Sequence, residues 1–360
     1  MIRSLTLAAG LALAAAAPAA AQAAPRQVEA ARRAAREMLA RGIPGLSAAV
    51  AVDGRVVWSE GFGLADLEQN VPVSPATRFR VGSVAKPLTA AALMRLRQEG
   101  RMDLDAPVTR YVPEFPDKGA PITPRMLAGH LGGIRWYAGD EFFLNRAWRS
   151  LREGLSIFAA DPLVAPPGTK YSYSSYGFNL LGAAMEAADG REFTALMSER
   201  VLVPLGLKDT VPDRAAEVID RRARFYVRTA GGAFANAPAV DSSHKWPSGG
   251  YLSTAEDLAR FGAAMSGTGF LDAESLGLMF AQQRTKAGQE TGYGLGWEIA
   301  TGKDGARRVG HEGRPVGGSA VLVVYPGARV AAAVLVNVSD APVGRDDASA
   351  LAELFMNGQP

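Results

Sequence analysis

The sequence predicts an α/β (α+β) fold: one antiparallel sheet flanked by helices, with an inserted, mainly helical region. Three observations support this prediction. β-rich runs occur early in the chain, at 46–58, and return late, at 293–338. Between them lie short helical patterns, loops and proline- or glycine-rich turns. A single sheet built from both parts of the chain, with helices on its faces, accounts for this order.

The elements can be assigned in order. Asp53-Gly54 favours a two-residue hairpin turn, and Ser253 to Glu256 form a capping box that begins a helix. In chain order we expect a helix at 26–41, a hairpin at 46–63, helices at 83–98, 179–188 and 255–265, strands at 293–297, 307–311, 318–324 and 330–338, and a helix at 346–356. The sheet lobe should comprise about 24–80 and 285–360, and the helical lobe about 84–284.

The first 23 residues predict a secretory leader. Arg3 supplies a positive start, Leu5 to Ala17 form an apolar run, and Ala21-Gln22-Ala23 fits a cleavage site. We therefore expect an exported, periplasmic protein that begins near Ala24. A membrane anchor is the alternative, but the run is short and alanine-rich for a span. No stable membrane span is expected after the leader is removed.

Composition excludes several classes of function. The chain has 360 residues, of which 48% are hydrophobic and 21% charged, as in a globular domain. Its net charge of +3 is too small to indicate nucleic-acid binding. With no cysteine, disulfides and thiolate metal sites are excluded. The three histidines lack ligand spacing, so neither a metal nor another cofactor is expected.

The most informative motif is Ser83-Val84-Ala85-Lys86 at the predicted start of a helix. Residues three apart share a helix face, so Lys86 can reach back to Ser83. A serine hydroxyl needs a base within hydrogen-bond reach to act as a nucleophile. An amine can be that base only if burial or nearby cations lower its pKa from about 10.4. The alternative is an N-capping serine followed by a solvated lysine.

Two further motifs follow in order. Tyr173-Ser174-Ser175 lies in an aromatic and serine-rich stretch, and His311-Glu312-Gly313 lies on a predicted strand. Taken alone, each has an ordinary structural interpretation: a turn between core elements and a hydrogen-bonded strand histidine. No G-x-S-x-G elbow occurs, which disfavours an α/β-hydrolase.

With S-x-x-K, Y-x-S and H-x-G in this order, the chain resembles the serine beta-lactamase and penicillin-binding-protein superfamily, in its class C-like branch with esterases and D-amino-acid peptidases. The resemblance covers 24–360, so one domain is expected. Within the superfamily, the chain most resembles the mitochondrial serine beta-lactamase-like proteins and their bacterial relatives. The segments that carry this resemblance are Lys245-Trp246, Gly133-Ile134-Arg135 and Gly310-His311.

The resemblance implies a role for each motif. Ser83 would attack a carbonyl carbon and become acylated, with Lys86 and Tyr173 as the proton-transfer groups. Which of these two groups is the base in acylation stays open. If it is Tyr173, nearby cations must lower the pKa of its phenol, and Lys86 is the only cation expected close to it. The backbone N–H groups of Ser83 and Arg314 would bind the oxyanion. His311 would be a fourth catalytic residue, and Ser175 and Gly313 would complete the substrate and oxyanion site with Arg314.

Three positions depart from the antibiotic-hydrolysing pattern. Ser175 replaces an asparagine, His311 replaces a lysine, and Glu312 replaces a threonine or serine. A neutral imidazole carries no fixed charge near pH 7, and a Glu312 carboxylate in the cleft would repel anionic substrates unless Arg314 neutralised it. We therefore expect weak or absent beta-lactamase activity and measurable esterase or peptidase activity.

Three functions remain open. The first is an exported serine hydrolase that cleaves ester or peptide bonds through a Ser83 acyl-enzyme. The second is a class C-type beta-lactamase or D-Ala-D-Ala carboxypeptidase. Under these two hypotheses the expected substrate is a small ester, peptide or beta-lactam. The third is a non-catalytic or filament-forming assembly protein, and self-association is implied by the resemblance alone. Of the other histidines, His130 is expected to be structural and His244 is left unassigned.

Overall fold

The computed structural model describes residues 23–302 and 305–356. The predicted leader, apart from Ala23, lies outside these residues. The helices are α1 (Pro25–Leu39), α2 (Ala85–Gln98), α3 (Pro124–Ala128), α4 (Leu151–Leu155), α5 (Ser175–Asp189), α6 (Phe193–Met197), α7 (Trp246–Gly249), α8 (Ala255–Ala264), α9 (Ala273–Phe280) and α10 (Arg345–Met356). The strands are β1 (Gly45–Val52), β2 (Arg55–Asp66), β3 (Val71–Pro72), β4 (Phe79–Arg80), β5 (Val211–Pro212), β6 (Tyr226–Arg228), β7 (Phe234–Asn236), β8 (Tyr251–Ser253), β9 (Glu298–Thr301), β10 (Arg307–Gly313), β11 (Ser319–Tyr325) and β12 (Val330–Val336).

The main sheet of the described chain has seven antiparallel strands in the order β3-β2-β1-β12-β11-β10-β9. The β1–β2 hairpin turns at Asp53 and Gly54, whose φ angles of 50° and 81° suit a type I′ turn. β1 pairs with β12, with Ala49 opposite Ala333, so the early and late strands meet in the middle of the sheet. The predicted antiparallel sheet with flanking helices is confirmed.

Side-chain alternation gives the sheet two buried faces. Ala48 and Val50 of β1 belong to a core cluster with α1 and α10, whereas Ala49 and Ala51 belong to the larger cluster that contains α2 and α8. Successive residues of a strand point to opposite faces, so a strand covered on both sides carries apolar residues throughout. This explains why β1, β11 and β12 have almost no polar positions.

Two details differ from the sequence prediction. Although α8 lies within the range assigned to the helical lobe, it packs on the sheet, and an ideal Cβ on its Gly262 would lie 2.8 Å from the Cβ of Ala331. Glycine and alanine here allow a close helix–sheet contact. The expected strand at 293–297 is also wrong. Tyr293 forms only an isolated bridge to Glu298, where β9 begins.

The helical region and the sheet meet at the turn that carries Ser83. A 3₁₀ turn, Gly82–Val84, leads directly into α2. It follows β4, which pairs with β8 in a small sheet of order β4-β8-β5, and the Val81 amide donates to the Tyr251 carbonyl at 3.1 Å. Backbone pairing therefore holds the chain immediately before Ser83.

No helix within 23–302 or 305–356 combines the length and apolar character needed to cross a bilayer.

A buried ion pair also links the small sheet. Arg80 Nε lies 2.7 Å from Asp213 Oδ2, and their side chains are 11% and 2% exposed. Asp213 directly follows β5, so the pair joins the two outer strands across β8. Removing one partner would leave a buried charge uncompensated.

We predict that Asp213→Ala lowers the free energy of unfolding by about 3–5 kcal/mol, because the Arg80 guanidinium loses its buried partner. Glu256→Gln is the control: it breaks the half-exposed pair with Arg260 (39% and 38% exposed), which should cost less than about 1 kcal/mol. Urea unfolding followed by circular dichroism measures both. Equal losses for the two variants would contradict the prediction.

Candidate active site

The side chains of Ser83 and Lys86 are in contact, as their spacing predicts. Lys86 Nζ lies 3.0 Å from Ser83 Oγ. Ser83 is partly exposed to solvent, whereas Lys86 is fully buried. The alternative of a solvated lysine is therefore wrong: one helical turn brings the amine back onto the hydroxyl and away from water.

Lys86 also contacts two other helices. Its Nζ lies 3.2 Å from Ser175 Oγ, at the start of α5, and 3.0 Å from the carbonyl oxygen of Ser248 in α7. Burial lowers the pKa of Lys86 well below its usual value, and the charge of Glu298 opposes this only in part. A buried amine with no carboxylate beside it favours its uncharged form.

Tyr173 is held by the backbone on either side of it. The Ser172 amide donates to the His130 carbonyl at 2.9 Å, and the Ser174 amide donates to His130 Nδ1 at 3.1 Å. The Ser174 hydroxyl accepts from the Gly177 amide at 3.0 Å and so caps α5. His130 thus lies at a loop–helix junction behind Tyr173, its ring centroid 4.2 Å from that of the tyrosine, which is the structural position expected of it.

Tyr173 completes a group of three side chains. It is hydrogen-bonded to Ser83, and Lys86 Nζ lies 4.8 Å from its ring centroid. Burial raises the pKa of the Tyr173 phenol well above its usual value, with the Ser83 hydrogen bond acting against this rise. The lowered pKa that a tyrosinate base would require is therefore absent, because burial of the phenol outweighs the hydrogen bond to Ser83.

Two glycines allow the Ser83 turn to touch the end of β10. An ideal Cβ on Gly313 would lie 2.0 Å from the Val81 carbonyl oxygen and 3.1 Å from the Ser83 amide nitrogen. One on Gly82, whose φ is 49°, would lie 3.2 Å from the Arg314 amide nitrogen. The backbone amides of Ser83 and Arg314 therefore lie on adjoining segments that approach this closely because both contacts lack side chains.

His311 is buried, and both ring nitrogens are hydrogen-bonded. Nδ1 lies 2.6 Å from the Glu312 carbonyl oxygen and Nε2 lies 2.8 Å from the Tyr293 hydroxyl. A carbonyl can only accept, so Nδ1 carries the proton and Nε2 accepts from Tyr293. Burial lowers the pKa of His311 to about 3. His311 therefore places a neutral ring where the related motif has a lysine.

Glu312 points away from His311 along β10. In the strand register, His311 lies opposite Leu322 and Glu312 opposite Val321, which face different core clusters. The Glu312 carboxylate accepts from the Arg345 amide at 3.1 Å, at the start of α10, and lies 3.4 Å from the Arg314 guanidinium. Arg314 does pair with it, as the sequence suggested, and Arg345 adds a second cation.

These residues line one cleft of about 540 Å³. Ser83, Tyr173, Ser175, His311, Glu312 and Arg314 all border it. The cleft also contains residues that the motifs did not identify: Trp136, Tyr137, Phe142, Lys245, Ser248 and Glu298. Of these, only Lys245 stood in a segment singled out in the sequence. Ser248, three residues later, carries the carbonyl that binds Lys86, and this role could not have been inferred from its side chain.

The third histidine lies outside this cleft. His244 is fully buried against Trp148, with 5.9 Å between ring centroids, and burial lowers its pKa to about 3. In the part of the chain that the structure describes, no three His, Cys, Asp or Glu side chains come together to hold a metal ion.

Comparisons with known proteins agree with this geometry. Residues 30–355 match the family model described as Beta-lactamase. The mitochondrial serine beta-lactamase-like protein LACTB of Homo sapiens is 31% identical over 79% of this chain and 69% of its own length. Esterase EstB of Burkholderia gladioli is 32% identical over 74% of this chain and 77% of its own.

A solved structure extends the likeness to three dimensions. The octameric penicillin-binding protein homologue from Pyrococcus abyssi superposes with a TM-score of 0.79 at 27% identity, covering 91% of this chain and 77% of that one. The family match spans nearly all of the described residues, including the segments that carry Ser83, Tyr173 and His311. This chain belongs to the beta-lactamase family and is a serine hydrolase of that family.

Proposed function

We propose that this serine hydrolase cleaves ester or peptide bonds through an acyl-enzyme on Ser83, with Lys86 as the base of acylation. The observation that carries the proposal is the 3.0 Å contact between Lys86 Nζ and Ser83 Oγ in a site where the amine is fully buried. Export to the periplasm rests on residues 1–23 alone and stays a prediction, as does self-association.

The contacts of Lys86 suit a neutral amine, which has two N–H groups and one lone pair. The Ser248 carbonyl can only accept, so it takes one N–H, and the Ser175 hydroxyl takes the other. The lone pair is left for the Ser83 hydroxyl proton. As that proton moves to Nζ, Ser83 Oγ attacks the carbonyl carbon of the substrate.

The remaining groups serve the tetrahedral intermediate. Its oxyanion would lie between the amides of Ser83 and Arg314, and each such donor typically contributes about 3 kcal/mol to transition-state stabilisation. Tyr173, protonated and hydrogen-bonded to Ser83, can give its proton to the leaving group and regain one from Lys86. Loss of the leaving group gives the acyl-enzyme, and water then adds to it by the reverse proton transfers.

Neutral His311 favours esters and peptides over beta-lactams. Both of its ring nitrogens are engaged, so His311 supplies no cation at the position where the antibiotic-hydrolysing pattern has its lysine. Esterase EstB, which is 32% identical to this chain, is named as an esterase, and this also supports an ester substrate. A beta-lactamase or D-Ala-D-Ala carboxypeptidase remains the second candidate, carried only by the shared family.

The first prediction concerns the nucleophile and the substrate class. Wild-type protein should be labelled by a fluorophosphonate and should hydrolyse p-nitrophenyl butyrate, whereas Ser83→Ala should lose both, because no other hydroxyl contacts Lys86 from the same turn. Nitrocefin turnover should be slow or absent. Fast nitrocefin turnover without ester cleavage would favour the second candidate, and labelling that survives Ser83→Ala would overturn the nucleophile.

The second prediction concerns the oxyanion site. Gly313→Ala should reduce kcat/KM for p-nitrophenyl butyrate by roughly 100-fold or more, the usual effect of losing one oxyanion donor, because its Cβ forces the Ser83 turn away from β10. Gly327→Ala is the control, since a Cβ there meets nothing within 4 Å. Similar activities for the two variants would disprove the contact's importance.

The third prediction concerns pH. Because acylation needs uncharged Lys86, kcat/KM should fall as pH is lowered through the pKa of this amine, which burial holds well below its usual value. Tyr173 stays protonated, so no alkaline loss is expected from it below about pH 10. Lys86→Arg puts a permanent cation in place of the uncharged amine and offers no base, so it should lose about 10²–10⁴ in rate.

A second titrating group must be separated from Lys86. Burial raises the pKa of Glu298, which also borders the cleft, to about 7. The pH profile of Glu298→Gln should therefore keep the acid limb if Lys86 causes it. A rate that rises on acidification, or an acid limb that disappears in Glu298→Gln, would contradict the assignment to Lys86.

A further inference from the structure

We propose that Lys245 binds an anionic group of the substrate, so that the preferred substrates are esters or amides that carry a carboxylate. This inference rests on the proposed function and extends it to a substrate class. Lys245, which recognises the negative charge of the substrate in this proposal, lies outside the three motifs and on a different segment of the cleft from His311.

The cations of the cleft differ in what they contact. Arg80 pairs with Asp213 at 2.7 Å and Arg314 with Glu312 at 3.4 Å. Lys245 borders the same cleft and is 7% exposed, yet within the described residues no carboxylate lies within 4.0 Å of its ammonium group. The hydrogen bond that it makes, to the Phe142 carbonyl, is 3.5 Å long, which is the weak limit for such a bond.

The nearest carboxylates are engaged elsewhere. Asp213 and Asp241 are close enough to affect the pKa of Lys245, but Asp213 Oδ2 is bound by Arg80 and Asp241 Oδ1 accepts from the amide and hydroxyl of Ser243. The other Asp213 oxygen, Oδ1, accepts no hydrogen bond and lies 3.8 Å from the Arg222 guanidinium rather than within 4.0 Å of Lys245. The Lys245 ammonium group therefore has N–H donors without an acceptor, and an acceptor can reach them from the cleft.

Burial makes this arrangement costly unless a ligand uses it. Burial and the charge of Arg80 lower the pKa of Lys245 to about 8, so the side chain remains mainly charged at neutral pH. A buried charge without a partner destabilises a fold. The Phe142 ring, 5.4 Å from Nζ, compensates only weakly. A substrate carboxylate would supply both the missing charge and the missing hydrogen bonds.

The surroundings describe the rest of the ligand. Trp136, Phe142 and Val240 give the cleft part of an apolar wall, and of these the Phe142 ring contacts Lys245. Lys245 also lies in the segment that supplies the Ser248 carbonyl to Lys86, so one short stretch of chain carries both the anion site and a hydrogen-bond acceptor for the base. The expected ligand therefore has an apolar body, one scissile ester or amide, and a carboxylate set apart from it.

Binding can be tested without turnover. Calorimetry with Ser83→Ala protein compares two pairs of probes. Monomethyl adipate carries a carboxylate on the acyl side, and dimethyl adipate is its neutral partner. 3-Butanoyloxybenzoate carries a carboxylate on the leaving-group side, and phenyl butyrate is its neutral partner. At least one anionic probe should bind about tenfold or more tightly than its neutral partner, as expected for a hydrogen bond to a charged group. Adding Lys245→Met should abolish that preference.

The controls separate this inference from the proposed function. Lys208→Met removes a charge from an exposed lysine and should leave the preference intact, and Lys245→Arg should restore part of it. Equal binding of all four probes, or a preference that Lys245→Met leaves unchanged, would overturn the role of Lys245. Absence of Ser83-dependent ester cleavage would instead refute the proposed function, while the binding comparison still decides the anion site.

Stability gives a second readout. If Lys245 were a structural cation, Lys245→Met would lower the melting temperature. If it is kept for ligand binding, exchanging a buried unpaired charge for an apolar side chain of similar length should leave the melting temperature unchanged or raise it. A large fall in melting temperature would therefore contradict the inference.

Discussion

The burial of one amino group organises this site. Lys86 reaches Ser83 in its own turn, Ser175 in α5 and the Ser248 carbonyl in α7, so three helices must pack correctly before its nitrogen has partners. An amine enclosed in this way is easier to bury uncharged than charged. The same packing that stabilises the helical region therefore also sets the protonation state on which nucleophilic chemistry would depend.

A second constraint joins this helical region to the sheet. The chain that leads into Ser83 touches the end of β10 through Gly82 and Gly313, where no side chain fits. The Ser83 turn is thus located by backbone contacts from the sheet and by side-chain contacts from the helices. Because the two sets of contacts are independent, a small displacement of either layer would separate the hydroxyl from the amine or the two amides from each other.

The sequence predicted the local parts of this arrangement better than the distant ones. The S-x-x-K spacing placed Lys86 on Ser83 because both lie in one turn, and the short separation of Glu312 and Arg314 along the chain made their pairing predictable. The contacts of Ser248, Tyr293 and Lys245 could not be predicted, since they come from segments far apart in the chain. The protonation of Tyr173 also depends on burial, which the order of motifs does not contain.

The pairing of β1 with β12 has a consequence for how the molecule is made. β1 is synthesised early, but β12, its neighbour in the middle of the sheet, is made only after almost all of the described chain. Contacts of such long sequence separation slow folding, and until they form, the apolar strands stay exposed and prone to aggregation. The emerging polypeptide therefore has a long interval in which a chaperone can hold it before the sheet closes.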